Sequence, residues 1–222
     1  MPDMTVQYIN QIYEISRRER TNLDRGEDDD FSLAISQLGR FRVNVFRQRG
    51  SLAAVIRLIR FGLPDPAQLG IPESVLSLAE NKKGLVLITG AAGTGKSTTL
   101  ACMIDRINKS RDCHIITMED PIEYIYRHDK AIVTQREISI DTPGYLPALR
   151  SALRESPDVV LLGEMRDYDT ISAAITAAET GVLLFSTLHT SSAANTISRI
   201  LDVFPANQQQ QVKMQIAQIL KG

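Results

Sequence analysis

Gly90-Ala91-Ala92-Gly93-Thr94-Gly95-Lys96-Ser97 is the stretch on which the reading of this chain turns. Its spacing is G-x-x-x-x-G-K-(S/T), and the flanking residues supply the context such a match needs. An apolar run at 85–89 leads in as a strand, and helical patterning over 97–109 leads out. Glycines let the backbone curl so that successive N–H groups point inward, and the helix N-terminus adds partial positive charge. The turn therefore suits phosphate oxygens, with Lys96 reaching the β- and γ-phosphates and the Ser97 hydroxyl ligating Mg²⁺. The expected cofactors are ATP and Mg²⁺, and the expected binding set runs through Gly90, Ala91, Ala92, Gly93, Thr94, Gly95, Lys96, Ser97 and Thr98. A glycine-rich strand-to-helix turn with an exposed lysine is the plainer alternative; strand, full consensus and helix together argue against it.

Phosphoryl transfer also needs a metal clamp, a group that positions or deprotonates water, and positive charge for the transition state. Three later segments offer these parts. The run at 115–118 ends in Glu119-Asp120-Pro121-Ile122-Glu123, carboxylates with a proline that stops the strand. Ligands of open α/β sheets sit at strand carboxyl ends, which makes Glu119 the first candidate for activating water and Glu123 the second. An E-D-P turn can equally be a structural strand terminator. Val159-Val160-Leu161-Leu162-Gly163-Glu164 has four apolar residues before an acid, with Gly163 where many P-loop enzymes carry aspartate. Glu164 is then expected to act on Mg²⁺ or its water shell. A third buried run, 182–186, leads to His189, either a γ-phosphate sensor or a structural histidine.

Upstream, residues 5–20 have apolar positions at helical spacing, with Arg17, Arg18 and Arg20 near the C-terminal end where the helix dipole favours cations. The acidic run 27–30 reads as a solvated turn. Residues 31–35 and 41–46 follow as strands, the second alternating Phe41, Val43 and Val45 against Arg40, Arg42 and Asn44. Gln37-Leu38-Gly39 suits a hairpin between them, and 52–59 reads as another strand. One glycine and two prolines at 61–66 mark a boundary. Buried runs at 85–89, 114–118, 158–162 and 182–186 with helical segments between most of them predict an α/β fold with a mostly parallel sheet covered on both faces.

The whole chain has 222 residues, 43% of them hydrophobic, enough for one ordinary core and a smaller companion. Its 25 basic and 26 acidic residues nearly balance, which argues against non-specific nucleic-acid binding, and no basic, aromatic-laced surface supports DNA translocation. Cys102 and Cys113 form no zinc or disulfide framework. Neither a membrane-crossing run nor a signal pattern is present, so a cytoplasmic protein is expected.

The order phosphate loop, M-E-D-P-x-E, G-E-M-R-D, then T-L-H-T resembles the type II/IV secretion and pilus ATPases, where these segments are called Walker A, Asp box, Walker B and His box. The likeness runs from about Phe31 to Phe204. Glu164-Met165-Arg166-Asp167, Ser191-Ser192-Ala193-Ala194 and Leu201-Asp202-Val203-Phe204-Pro205 look like the PilT branch, which powers retraction of type IV pili and twitching motility; an extension or secretion ATPase is the alternative, and a nucleotide-binding module without turnover is another. The resemblance implies a partial PAS-like N-terminal domain over 1–61, a linker with a lead-in helix over 62–80, and a RecA-like ATPase domain over 81–222. It further implies a homohexamer, an inner-membrane pilus platform protein as partner, and contact with the membrane's cytoplasmic face through partners only. Arg42 and Arg57 become candidates for reaching phosphate, from a neighbouring subunit or the same one, against the reading that strand arginines simply face water. Val182 departs from the pattern, standing where members commonly carry the first histidine of the His box, so only His189 carries over. The early strands of the N-terminal domain and the C-terminal helices with A-I-R-N-L-I are not found, which suggests a fragment.

Overall fold

Period-two burial builds the larger sheet. In the computed structural model, which describes residues 2–36, 38–59 and 62–222, the chain divides into two units, Met1–Phe61 and Gly62–Gly222. The second unit holds a five-stranded sheet of β4 (Gly84–Thr89), β5 (His114–Glu119), β6 (Ile132–Glu137), β7 (Val159–Leu162) and β8 (Leu183–Leu188), in the order β4-β8-β7-β5-β6, with every neighbouring pair parallel. Alternate residues serve opposite faces. Leu85, Ile116, Val160, Leu162 and Leu184 join α5 (Tyr145–Ala152), α6 (Tyr168–Glu179), α7 (Ala193–Asp202) and α8 (Ala206–Ile219) in one core. Val86, Ile115, Val159, Leu161 and Phe185 join α3 (Glu73–Leu76) and α4 (Lys96–Ser110) in the other. Both faces are covered, so the strands read as continuous apolar runs, as a parallel sheet requires.

One strand escaped the sequence reading. β6 lies at the edge of the sheet beside β5, and its Thr134-Gln135-Arg136-Glu137 lacks an apolar run because an edge strand buries less. Ile132 is 62% exposed while Val133 is buried. At the opposite edge Leu220 bridges Leu85, and the Lys221 amide donates to the Leu85 carbonyl at 2.8 Å. Among the described residues no helix is long and apolar enough to cross a membrane.

The first unit is an antiparallel meander of β1 (Asp29–Ile35), β2 (Gly39–Gln48) and β3 (Ser51–Ile59) with α1 (Pro2–Ser16) and α2 (Thr21–Asp24). Ile9, Tyr13, Leu23, Phe31, Leu33, Val43, Val45 and Leu52 form its core. Gln37 of the expected hairpin turn, and Phe61 at the expected boundary, lie outside the described residues.

Two expectations are corrected here. The helix ends at Ser16 rather than Arg20, because Arg17 turns into left-handed backbone at φ 53°. Arg18 is then free to reach Asp29, with Nη2 donating to Oδ1 at 3.2 Å, while its guanidinium lies 4.9 Å from the centre of the Phe31 ring. The acidic run is not a solvated turn throughout: Asp29 and Asp30 open β1, and Asp29 is buried, accepting from the Tyr13 hydroxyl at 3.0 Å. Burial, then the hydrogen bond to Asp29, pushes the Tyr13 phenol up to about 12.

Candidate functional site

The phosphate-loop residues leave β4 in a tight turn and enter α4 at Lys96. Gly95 precedes that helix in left-handed backbone at φ 91°, which side chains with a Cβ rarely adopt. A Cβ on Gly90 would sit 2.7 Å from Thr94 Oγ1, so the loop can close only around glycine there. Lys96 Nζ donates to the carbonyl oxygens of Gly90 at 3.0 Å and Ala91 at 2.9 Å, and Thr94 Oγ1 donates to Ala91 O at 2.9 Å. The ammonium is thus folded over its own loop. Ser97 Oγ donates to Glu123 Oε1 at 3.1 Å, and Thr98 Oγ1 shares a 3.1 Å hydrogen bond with the Tyr124 hydroxyl.

Glu119 ends β5 with its carboxylate held rather than loose. Thr117 Oγ1 donates to its Oε1 at 2.7 Å, and Gln135 Nε2 approaches the same oxygen at 3.4 Å. Burial outweighs these bonds and raises Glu119 to about 7, since a desolvated carboxylate resists ionisation. The chain after Glu119 is fastened by β6. Gln135 Nε2 donates to Tyr124 O at 2.9 Å, its Oε1 accepts from the Tyr126 amide at 2.9 Å, and Glu137 Oε2 accepts from the Ile122 amide at 3.2 Å. The strand that the sequence hid therefore positions both acid candidates of the first segment.

The second and third segments meet at the tips of β7 and β8. Ser186 Oγ donates to Leu162 O at 2.7 Å and Thr187 Oγ1 to Gly163 O at 2.6 Å. Glu164 Oε2 accepts from Arg166 Nε at 2.8 Å and lies 3.7 Å from His189 Nε2. Met165 is buried in the core, and Asp167 caps α6, its carboxylate accepting from the Thr170 amide at 2.9 Å and hydroxyl at 2.8 Å. Within 163–167, then, Glu164 and Arg166 are the side chains that line the cavity. Gly163 has a steric cause: a Cβ there would lie 2.9 Å from the Tyr145 hydroxyl and 3.1 Å from Met118 O.

These parts line one cavity of about 290 Å³. Ala92, Gly93, Lys96, Ser97, Glu119, Glu123, Glu164 and His189 all face it, joined by Asp120, Tyr124, Tyr126 and Tyr145. Tyr145 was missed in the sequence; it sits far from any motif, and its signal is only that it follows Gly144 at the start of α5. Burial, then the charges of Glu164 and Asp120, hold its phenol well above the usual range. Among the described residues no cluster of three or more His, Cys, Asp or Glu could cage a metal by itself. The fit is of a different kind: a serine hydroxyl already against a carboxylate gives hard oxygen donors, which suit Mg²⁺ shared with phosphate and water.

Arg42 and Arg57 belong to the first unit, opposite one another on β2 and β3. Arg42 makes a two-pronged pair with Asp30, Nε to Oδ1 at 3.1 Å and Nη2 to Oδ2 at 2.6 Å, while Arg57 is exposed. Val182 is buried just before β8, at the end of that strand remote from His189.

The model of the type II/IV secretion system protein family matches residues 9–221. The type IV pilus retraction ATPase PilT of Pseudomonas aeruginosa is 46% identical over 212 residues, covering 95% of this chain and 62% of that protein. A twitching motility protein of Neisseria gonorrhoeae is 42% identical over 222 residues, covering 99% and 59%. A crystal structure of the pilus retraction motor PilT with bound ADP is 51% identical, superposes with a TM-score of 0.91, and is covered over 62% of its length by 95% of this chain. The chain thus spans about three fifths of the length of the relatives it matches.

Proposed function

The chain belongs to the type II/IV secretion system protein family, and on that premise we propose that it is an ATPase subunit of a type IV pilus machine, driving pilus retraction and twitching motility. The observation that carries the reading is convergence: the glycine loop, the tip of β5 and the joined tips of β7 and β8 supply cation, carboxylates and histidine to one cavity. Assembly as a homohexamer in the cytoplasm, engaging a platform protein at the inner membrane, belongs to the same proposal.

Mg²⁺, when bound, neutralises charge on the β- and γ-phosphates; Ser97 and Glu164 are the residues proposed to hold it or its water. Lys96 exchanges the Gly90 and Ala91 carbonyls for phosphate oxygens, and loop N–H groups take the rest. Glu123, against Ser97 Oγ, is the neighbour best sited to accept from that hydroxyl or from water beside it. Glu119 is the proposed base. A carboxylate with a pKa near the working pH can accept a proton from water as its oxygen bonds to the γ-phosphorus and the bond to the β–γ bridging oxygen breaks. Glu164 and His189, already within 3.7 Å, would report the γ-phosphate to β8.

Titration with a fluorescent ADP analogue, with and without magnesium, tests the binding half. Phosphate release measured across protein concentrations tests the motor half, because turnover completed by neighbouring subunits rises more steeply than linearly. Absence of magnesium-dependent uptake by folded protein would sink the proposal.

A further inference from the structure

The walls of the cavity contain a hydroxyl that the mechanism above leaves idle. Tyr145 OH lies 2.9 Å from where a Cβ on residue 163 would stand, so it fills the space into which an aspartate at that strand tip would project. Gly163 follows the last residue of β7, and its amide is bound to Met118 O at 2.8 Å, which fixes the backbone there. The tyrosine is equally fixed: it opens α5, packs against the core with Ala148 and Leu149, and lines the same cavity as Ser97, Glu123 and Glu164. Among the described residues no side-chain hydrogen bond engages its hydroxyl, and the residue lines the cavity.

We propose that Tyr145 is a positioning residue that stands in for the aspartate missing at Gly163, its hydroxyl holding water around the nucleotide's magnesium and, through that water, steadying the Glu164 carboxylate. The inference rests on the ATPase reading given above. An aspartate at this tip acts on the metal by accepting from its water; a phenol oxygen can accept in the same way, and its O–H can donate to a carboxylate, which aspartate cannot do. The exchange keeps a polar group at the tip while adding no negative charge beside Glu119, Asp120, Glu123 and Glu164. It also gives Gly163 a reason: two oxygens cannot share the space that one tyrosine occupies.

The test is Tyr145→Phe, which removes one oxygen and keeps the ring. Uptake of a fluorescent ADP analogue without magnesium should match wild type. The magnesium concentration giving half-maximal response should rise about 3- to 10-fold, the equivalent of one neutral hydrogen bond. In steady state kcat should fall by a similar factor with KM for ATP little changed. Gly163→Ala supplies the second arm, since its methyl displaces the hydroxyl: its penalty on the magnesium midpoint should be at least about threefold smaller in the Tyr145→Phe background than in wild type. Equal magnesium midpoints for wild type and Tyr145→Phe, or strictly additive penalties, would overturn the inference alone. A wild-type chain with no magnesium-dependent uptake would overturn the functional reading and this inference together.

Discussion

The two halves of the cavity are made differently. The phosphate loop is eight consecutive residues whose useful groups are mostly backbone amides, and it needs glycine at Gly90 and Gly95 for steric reasons of its own. The opposing wall is assembled at the tips of β5, β7 and β8, and its parts depend on partners far away in sequence: Glu119 on Gln135, Gly163 on Tyr145, and the tip before Glu164 on Ser186 and Thr187. A consecutive device tolerates no change at a few positions, whereas an assembled one can lose a partner and be degraded by degrees.

Substitutions can break or sharpen that contrast. Lys96→Ala attacks the consecutive half and should have the largest effect, weakening analogue uptake on the order of 100-fold or more and reducing phosphate release to background, because several charge-assisted bonds to phosphate go at once. Glu119→Gln attacks the assembled half. Binding should stay within a few-fold of wild type while kcat falls about 10²- to 10⁴-fold. The wild-type rate should climb as pH rises through about 7, and that limb should vanish in the variant. The stability consequence has the opposite sense: the folded chain keeps this proton up to about 7 while the unfolded chain releases it near 4.5, so the group's contribution declines as pH rises across that window. Urea midpoints measured along it, wild type against Glu119→Gln, check the sign.

The smallest of the three is Gln135→Leu. It removes donors to Glu119 and Tyr124 and an acceptor for Tyr126, and should cost about 1–3 kcal/mol in urea unfolding. Because its bond to Glu119 favours the charged form, its loss should move the rising limb of the rate profile to higher pH. If Gln135→Leu instead matches Lys96→Ala in abolishing uptake, the two halves are not separable and the contrast fails.

The contrast also explains what could be read in advance. Four of the five parallel strands were legible because both their faces are buried, leaving runs such as Val159-Val160-Leu161-Leu162 with no polar interruption. β6 was not, because its inward positions near the site are Gln135 and Glu137, chosen to bind loop amides rather than to fill a core. The candidate acids were visible as strand ends, yet nothing in their spacing disclosed that Ser97 would bond Glu123 rather than Glu119. Asp29 was misread for a related reason: a run of acids signals water, and the Tyr13 and Arg18 groups that satisfy it lie 16 and 11 residues away. Helix α1 ended early at Arg17, where no glycine or proline gave notice.

The hydroxyl bonds from Ser186 and Thr187 to the main chain of 162 and 163 act as rivets between two neighbouring strand tips. The strand tips that carry Glu164 and His189 therefore form one jaw, for parting them breaks both bonds. The facing jaw, the stretch after Glu119, is clasped by the side chains of Gln135 and Glu137 and by the Ser97 and Thr98 hydroxyls. On the proposed function, the Ser97 clasp is the one a nucleotide would contest, so the give of the site lies in the wall beside the glycine loop.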